Sequence, residues 1–151
     1  MKPDIYIDGD ACPVKKETFR VAERYGLAVF VVVNRAMKVP ADPRVRLIVV
    51  PGGFDAADDW IDAHAGPGDL VVTSDIPLAA RCIARGARVL GATGREFTEA
   101  GIGDAMATRT LMDTLRQMGE VTGGPAAMDD RGRSRFLSKL DEMVNAVRGG
   151  R

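Results

Sequence analysis

The sequence predicts an α/β protein with three layers, α/β/α: a mostly parallel sheet of about five strands between helices, followed by a C-terminal helical extension. Short apolar runs alternate with stretches of helical periodicity over the first 90 residues, an order typical of β-α-β units. Several of these runs are continuous and β-branched, as expected of parallel strands covered on both faces. Proline or glycine marks most junctions between them.

The first strand leads directly into the first helix. Residues 4–13 read DIYIDGDACP, in which alternating apolar residues precede Asp8 and Asp10 and a proline able to start a helix. The helix after Pro13 has an apolar and a charged face and ends at Gly26, a typical C-cap. The two carboxylates therefore lie where the strand becomes a turn, at the edge where open α/β sheets bind ligands.

Four further strands are predicted from apolar runs at residues 28–33, 45–50, 69–73 and 87–90. We expect the first two of these to be buried on both faces. Helices beginning near Asp55 and at Pro77 connect the later strands, and Gly86 ends the second of these helices.

No strand is predicted beyond Gly91. A turn-rich stretch precedes helices at residues 104–118 and 129–147, which a glycine-rich loop at residues 122–125 separates. We expect one domain, with the extension of residues 92–151 packed on the sheet core of residues 1–91 or on a partner. The helix at residues 104–118 would pack through an apolar stripe formed by Met106, Leu111, Met112, Leu115 and Met118.

Composition limits the possible functions of this 151-residue chain. Lysine and arginine number 21, equal to aspartate and glutamate, so no protein-wide basic field is available to hold nucleic acid. No signal peptide or membrane-length apolar run is visible, which predicts a cytoplasmic protein without membrane contact. The two cysteines have no metal-type spacing. The sequence leaves the oligomeric state open, and a homodimer is one of the states that it allows.

Aspartates gather near the predicted strand ends. Residues 47–80 contain six aspartates and no lysine or arginine, a pattern usually typical of a solvated face. Asp75, however, ends the fourth strand as Asp8 and Asp10 end the first, so these side chains can meet at one edge of the sheet. Converging carboxylates need a proton or a cation between them, and Mg²⁺ or Mn²⁺ prefers oxygen ligands. This predicts metal-assisted displacement at phosphorus.

The next helix offers a further acid. Spacing alone leaves open the choice among Asp55, Asp58 and Asp59. We prefer Asp58, because Ile61 lies three residues later and places both side chains on the inward side of the helix.

Basic residues of the C-terminal helices are candidates for binding phosphate. Arg109 and Arg116 are seven residues apart and share one helix face. Together with Arg131, Arg133, Arg135 and Lys139, these two arginines would form a basic strip beside the acids that binds phosphate. Ordinary solvated arginines have the same pattern.

We expect Cys12, His64 and Trp60 to have structural and not catalytic roles. Cys12 lies beside two acids that would raise its pKa, so we interpret it as structural. His64 follows Trp60 by one helical turn and is expected on the helix surface, while Trp60 is expected in the core. The loop at residues 122–125 is either an anion-binding nest or a simple turn.

In combination, five segments resemble the bacterial YaiI/YqxD family, which has a PIN-like fold. They are DGDACP at residues 8–13, D-x-x-D-x-x-I at 55–61, TSDIPLA at 73–79, TRTLMDTLR at 108–116 and TGGP at 122–125. PIN-like domains carry acids at the carboxyl edge of the sheet that bind Mg²⁺ or Mn²⁺ for RNA or DNA cleavage. The resemblance implies Asn34 as a polar neighbour of catalytic metal ligands at Asp8, Asp10, Asp58 and Asp75. The family more often has alanine where this chain has Gly9.

Three functions stay open at this point. The first is a Mg²⁺- or Mn²⁺-dependent nuclease or phosphodiesterase that acts on RNA or DNA. The second is a non-catalytic regulatory protein that binds nucleic acid or protein through its helical tail. The third is a haloacid-dehalogenase-like phosphatase with Asp8 as nucleophile, Asp10 as acid/base and Thr73 or Ser74 binding phosphate. Cys12 stands where that class has threonine or valine, which counts against it.

Overall fold

The computed structural model describes residues 2–10, 12–119 and 128–149, and it confirms the α/β class. Each predicted strand and helix is present, with bounds that differ by a few residues at most. The elements in chain order are β1 Ile5–Asp8, α1 Lys15–Tyr25, β2 Val29–Val33, β3 Val45–Val49, α2 Phe54–His64, β4 Leu70–Val72, α3 Ile76–Ala84, β5 Arg88–Leu90, β6 Glu96–Phe97, α4 Ile102–Gln117 and α5 Asp130–Arg148.

The strands form one mostly parallel sheet in the order β3-β2-β1-β4-β5-β6. The first five are parallel, and β6 pairs with β5 in the antiparallel sense. The chain first extends the sheet from β1 to β3 on one side, and then crosses to β4 on the other side of β1. This reversal makes the carboxyl ends of β1 and β4 a topological switch point, where such sheets bind ligands.

Helices cover both faces of the sheet, which confirms the three-layer prediction. Helices α1 and α5 pack on one face through a core that includes Ile7, Val21 and Phe136. Helices α2 and α3 pack on the opposite face, with Ile61 and Leu78 among their buried side chains. Side chains alternate between these two cores along each central strand, as the pleat of a strand requires.

The two C-terminal helices differ in how far they are buried. Helix α5 contributes four fully buried side chains to the core, those of Phe136, Leu140, Met143 and Val144. Helix α4 lies against α3 and buries only Ala105 among its residues. The stripe predicted on α4 is wrong for Leu111 and Met118, which are 58% and 66% exposed.

Two details of the sheet differ from the sequence predictions. Strand β3 was expected to be buried, but it is the edge strand, and Val49 is 42% exposed. Its apolar run is typical of a central strand, yet its place at the edge depends on the strand order, which is a non-local property. Strand β6 was missed because its two residues are defined only by pairing with β5.

The predicted glycine-rich loop at residues 122–125 lies outside the described residues. None of the described helices is both long enough and apolar enough to cross a membrane.

Candidate functional site

A cleft of about 280 Å³ opens at the switch point between β1 and β4. Its walls come from the turn after β1 and from the segment between β4 and α3, and the lining residues are Asp8, Cys12, Pro13, Val72, Thr73, Ser74, Asp75 and Ala92. The carboxyl ends of both strands therefore deliver polar side chains into one concave space. We call this space the acid cleft.

A buried hydroxyl joins the two acids of the cleft. Thr73 is 4% exposed, and its Oγ1 donates a hydrogen bond to Asp8 Oδ2 over 2.9 Å. The same oxygen accepts a hydrogen bond from the backbone amide of Asp75 over 3.0 Å. The Thr73 oxygen donates one of these hydrogen bonds and accepts the other, so each bond strengthens the other. Together they fix Asp8 relative to β4.

Asp75 is positioned by the helix that it begins. It is the N-cap of α3, and its Oδ1 accepts a hydrogen bond from the amide of Leu78 over 3.0 Å. Pro77 occupies the first turn of the helix, where a missing amide hydrogen has no cost. One carboxylate oxygen of Asp75 is thus used by the cap, while the other has no hydrogen-bond partner among the described residues.

Asp10 lies beside the end of β2. Its two carboxylate oxygens accept hydrogen bonds from the backbone amide of Asn34, over 3.2 and 3.0 Å. Asn34 Oδ1 is buried and has no hydrogen-bond partner in the described part of the chain. A buried acceptor without a donor has a free-energy cost, so this oxygen is available to a bound group.

Three of the four acids of α2 fall into two groups. Asp59 and Asp62 form ion pairs with Arg81 of α3, at 2.9 and 2.8 Å. Asp58 forms no ion pair within the described residues and lies in the field of Asp8 and Asp75 instead. The solvated-face interpretation therefore fits Asp59 better than Asp58.

Burial and repulsion between neighbouring carboxylates both raise the pKa values of Asp58 and Asp8. Burial, Asp75 and Asp8, in that order, raise the pKa of Asp58 to about 6. Burial is also the main reason that the pKa of Asp8 is raised, with Asp75 and Asp10 adding to it and the Thr73 hydrogen bond opposing it. Both carboxyl groups therefore lose their protons less readily than a carboxyl group in water.

A divalent cation is the group that such an edge would attract, and the donor set limits its kind. In the described ranges, no three His, Cys, Asp or Glu side chains are close enough to hold a metal ion together. Mg²⁺ is usually bound by one or two carboxylates and several waters, so Asp8 and Asp75 are the residues of the cleft that could hold such an ion.

The predicted basic residues lie in different places. Arg109 and Arg116 line a cavity that also contains Asp75, whereas Arg133 lines another, beside Pro13. Lys139 pairs with Glu96 and Glu142, and Arg135 contacts the backbone of Thr93. Arg131 is exposed in the first turn of α5 and lines neither of those cavities. A single basic strip is therefore not formed.

Sequence reasoning missed two features of this edge. Thr73 was considered only as a phosphate ligand of the phosphatase alternative, although a threonine directly after an apolar strand and two residues before Asp75 is a usable signal. The charged face predicted for the helix after Pro13 includes Lys15 and Lys16, and both line the cavity beside Cys12.

Cys12 and His64 lie as the sequence suggested. Burial raises the pKa of the Cys12 thiol, which makes it a poor nucleophile. The ring of His64 stacks on Trp60 at 3.7 Å between centroids, and its Nδ1 lies 2.7 Å from the Trp60 carbonyl oxygen. Trp60 is half-buried against the α2/α3 core.

Comparison with known proteins places the chain among close relatives. A family model described as the uncharacterised YaiI/YqxD family matches residues 6–146. The UPF0178 protein of Rhodospirillum centenum is 57% identical, over 98% of this chain and 99% of the relative. The UPF0178 protein of Rhodospirillum rubrum is 54% identical, again over 98% and 99%. No solved structure matches the chain significantly.

Proposed function

The chain belongs to the YaiI/YqxD family, and we propose that the acid cleft hydrolyses phosphodiester bonds of RNA or DNA with the help of Mg²⁺ or Mn²⁺. The family match carries no activity with it, so the proposal rests on the chemistry of the cleft. Membership of the PIN-like superfamily stays a prediction of the sequence.

The observation that carries the proposal is the meeting of Asp8 and Asp75 in the acid cleft, with Asp58 in their electrostatic field. Burial, Asp75 and Asp8, in that order, raise the pKa of Asp58 to about 6. Strongly perturbed acids in a cleft are typical of functional sites. The buried, unpartnered Asn34 Oδ1 beside Asp10 adds a polar oxygen to the same edge.

Each group has a distinct role in this proposal. Asp8 and Asp75 would hold the cation, since Thr73 and the α3 cap each use only one oxygen of these carboxylates. A bound cation would offset the carboxylate charge and would polarise the phosphoryl oxygen. Asp58 would accept the proton of the attacking water, because it lies near Asp8 and Asp75, forms no ion pair among the described residues, and is ionised at neutral pH. Thr73 positions Asp8 and does not touch substrate.

Calorimetric titration with Mn²⁺ tests the cation site. The wild-type protein should bind Mn²⁺, whereas Asp8→Asn and Asp75→Asn should bind it at least tenfold more weakly. Asp75→Asn is a clean probe because asparagine is as good an N-cap as aspartate, so α3 should keep its start. Glu23→Gln is the matched control: it removes one negative charge at the far end of α1 and should leave binding unchanged.

Cleavage of single-stranded RNA and DNA in Mn²⁺ tests the activity. Turnover should disappear in Asp8→Asn and persist in Glu23→Gln. If Mn²⁺ binds but neither nucleic acid is cut, the site is not a nuclease centre. If nucleic acid is retained equally by the wild type and by Asp8→Asn without cleavage, the non-catalytic alternative replaces this one.

A further inference from the structure

Two more cavities adjoin the acid cleft, one at each wall. A cavity of about 470 Å³ shares Cys12 and Pro13 with the cleft and continues past α1 to Arg133. A cavity of about 390 Å³ shares Ser74 and Asp75 with it and continues along α4. The three cavities adjoin one another through these shared residues, from the α1/α5 layer to the α3/α4 layer, and we call them together the groove.

Cations exceed anions at the α1/α5 end of the groove. Lys15, Lys16 and Arg133 line it together with one acid, Glu17. Arg133 Nη1 donates to the carbonyl oxygen of Pro13 over 2.7 Å and lies 3.5 Å from Glu17 Oε1, which holds the guanidinium at the wall of the groove. Lys16 is exposed and has no ion-pair partner among the described residues.

Beyond Asp75, which this cavity shares with the acid cleft, the α3/α4 end has two guanidinium groups and one carboxylate. Arg109 and Arg116 share a single carboxylate, that of Asp113, at 3.6 and 3.3 Å. One aspartate offsets only one of two guanidiniums, and both remain nearly half exposed. Guanidinium groups with free N–H donors bind phosphate oxygens well.

The charge order along the groove is therefore positive, negative, positive. We propose that the groove binds the sugar–phosphate backbone of one extended single strand of nucleic acid, whose phosphates on both sides of the acid cleft contact the two cationic ends. The acid cleft at the centre has a volume of about 280 Å³, close to that of a single nucleotide, so we assign one strand and not a base-paired duplex to the groove. An internal phosphodiester, not a terminal phosphate, then lies at Asp8 and Asp75. The position of the reacting bond rests on the proposed function, whereas the contact with the strand does not.

Binding of labelled single strands tests the groove, with RNA and DNA compared in a buffer that contains a chelator and no divalent cation, so that the proposed reaction cannot proceed. A strand of about twelve nucleotides spans the site size of single-strand binders, and a dinucleotide does not. The long strand should bind with a steep salt dependence. Lys16→Gln and Arg116→Gln should each lower the slope of log K against log salt by about 0.7, and together by about 1.4.

Lys2→Gln is the control, because Lys2 precedes β1 at the opposite edge of the sheet and should leave the slope unchanged. The dinucleotide should respond to neither groove variant. Equal binding of the dinucleotide and the long strand, or an effect of only one end, would overturn the two-ended groove.

Cleavage of matched phosphodiester strands separates this inference from the proposed function. If the variants change the salt dependence of binding as predicted but no strand is cleaved, the proposed hydrolase activity is refuted and the groove is still supported. Equal cleavage rates for the dinucleotide and the long strand would refute the groove and leave the hydrolase standing.

Discussion

Replacing Thr73 by valine removes one hydroxyl that joins two parts of the acid cleft. Valine keeps the volume of the buried side chain, but Asp8 Oδ2 loses a donor and the Asp75 amide loses an acceptor. A hydrogen bond to a charged group contributes about 1.5–3 kcal/mol and a neutral one about 1 kcal/mol. In the variant, water from the acid cleft replaces part of each lost hydrogen bond. We therefore expect the free energy of unfolding to fall by about 2 kcal/mol near neutral pH.

The size of this loss should depend on pH. The pKa of Asp8 is raised in the folded protein, and the Thr73 hydrogen bond keeps it from rising further. A carboxyl group with a raised folded-state pKa favours folding below its unfolded-state pKa and loses that contribution as the pH rises through the folded-state value. Removing the hydroxyl raises the folded-state pKa further, so the ionised Asp8 costs more. The variant should therefore lose more stability at about pH 7.5 than at about pH 4.

Urea unfolding at both pH values, followed by the fluorescence of the single tryptophan, measures this loss. Thr18→Val is the matched control, because the buried Thr18 hydroxyl donates to a neutral acceptor, the Val14 carbonyl oxygen, over 2.9 Å. It should lose about 1 kcal/mol at either pH. The same loss for Thr73→Val at both pH values would refute the coupling of this hydroxyl to the charge of Asp8.

Three more predictions follow from the same geometry. Mn²⁺ affinity should rise with pH through about 6, where Asp58 loses its proton, and this dependence should flatten in Asp58→Asn; a calorimetric Kd that is constant across that range would contradict it. Gly9→Ala should cost about 1–3 kcal/mol in urea unfolding, because its Cβ would lie 2.7 Å from Val33 Cγ1 and 2.9 Å from Val31 Cγ1; an unchanged midpoint would mean that the valines move freely. Phe136→Ala should destabilise the whole chain in one transition by about 3–5 kcal/mol, whereas two separate transitions would contradict a single domain.

The fold could be predicted where each element carries its own signal. The helix after Pro13 has a local stop at Gly26 and one apolar face, and the structure reproduces both, although the helix begins at Lys15 and not at the proline. The left-handed conformation of Gly26, with φ of 67°, is the one that favours glycine at a C-cap. By contrast, the exposure of β3 and the existence of β6 depend on which strands become neighbours, and no local pattern encodes that order.

The candidate site divides in the same way. Asp8 and Asp75 end apolar strands, so the edge of the sheet on which they lie follows from sequence. Their meeting at one cleft requires β1 and β4 to be adjacent, which only the strand order shows. The two ends of the groove were harder to predict, because Lys16 and Arg116 belong to helices on opposite faces of the sheet.

The contrast within α2 bears on whether the acid cleft has a function at all. Asp59 and Asp62 belong to the same acidic run as Asp58, and Arg81 offsets their charge through contacts that hold α2 against α3. Asp58 has no such ion pair among the described residues, and its ionisation is opposed by burial, Asp75 and Asp8. Ionised, it destabilises the folded chain at neutral pH, so packing does not explain it. A cation bound only by the folded state would reverse that cost by mass action. Mn²⁺ should therefore raise the melting temperature more at neutral pH than at acid pH, and an equal rise at both would remove the cation from the explanation.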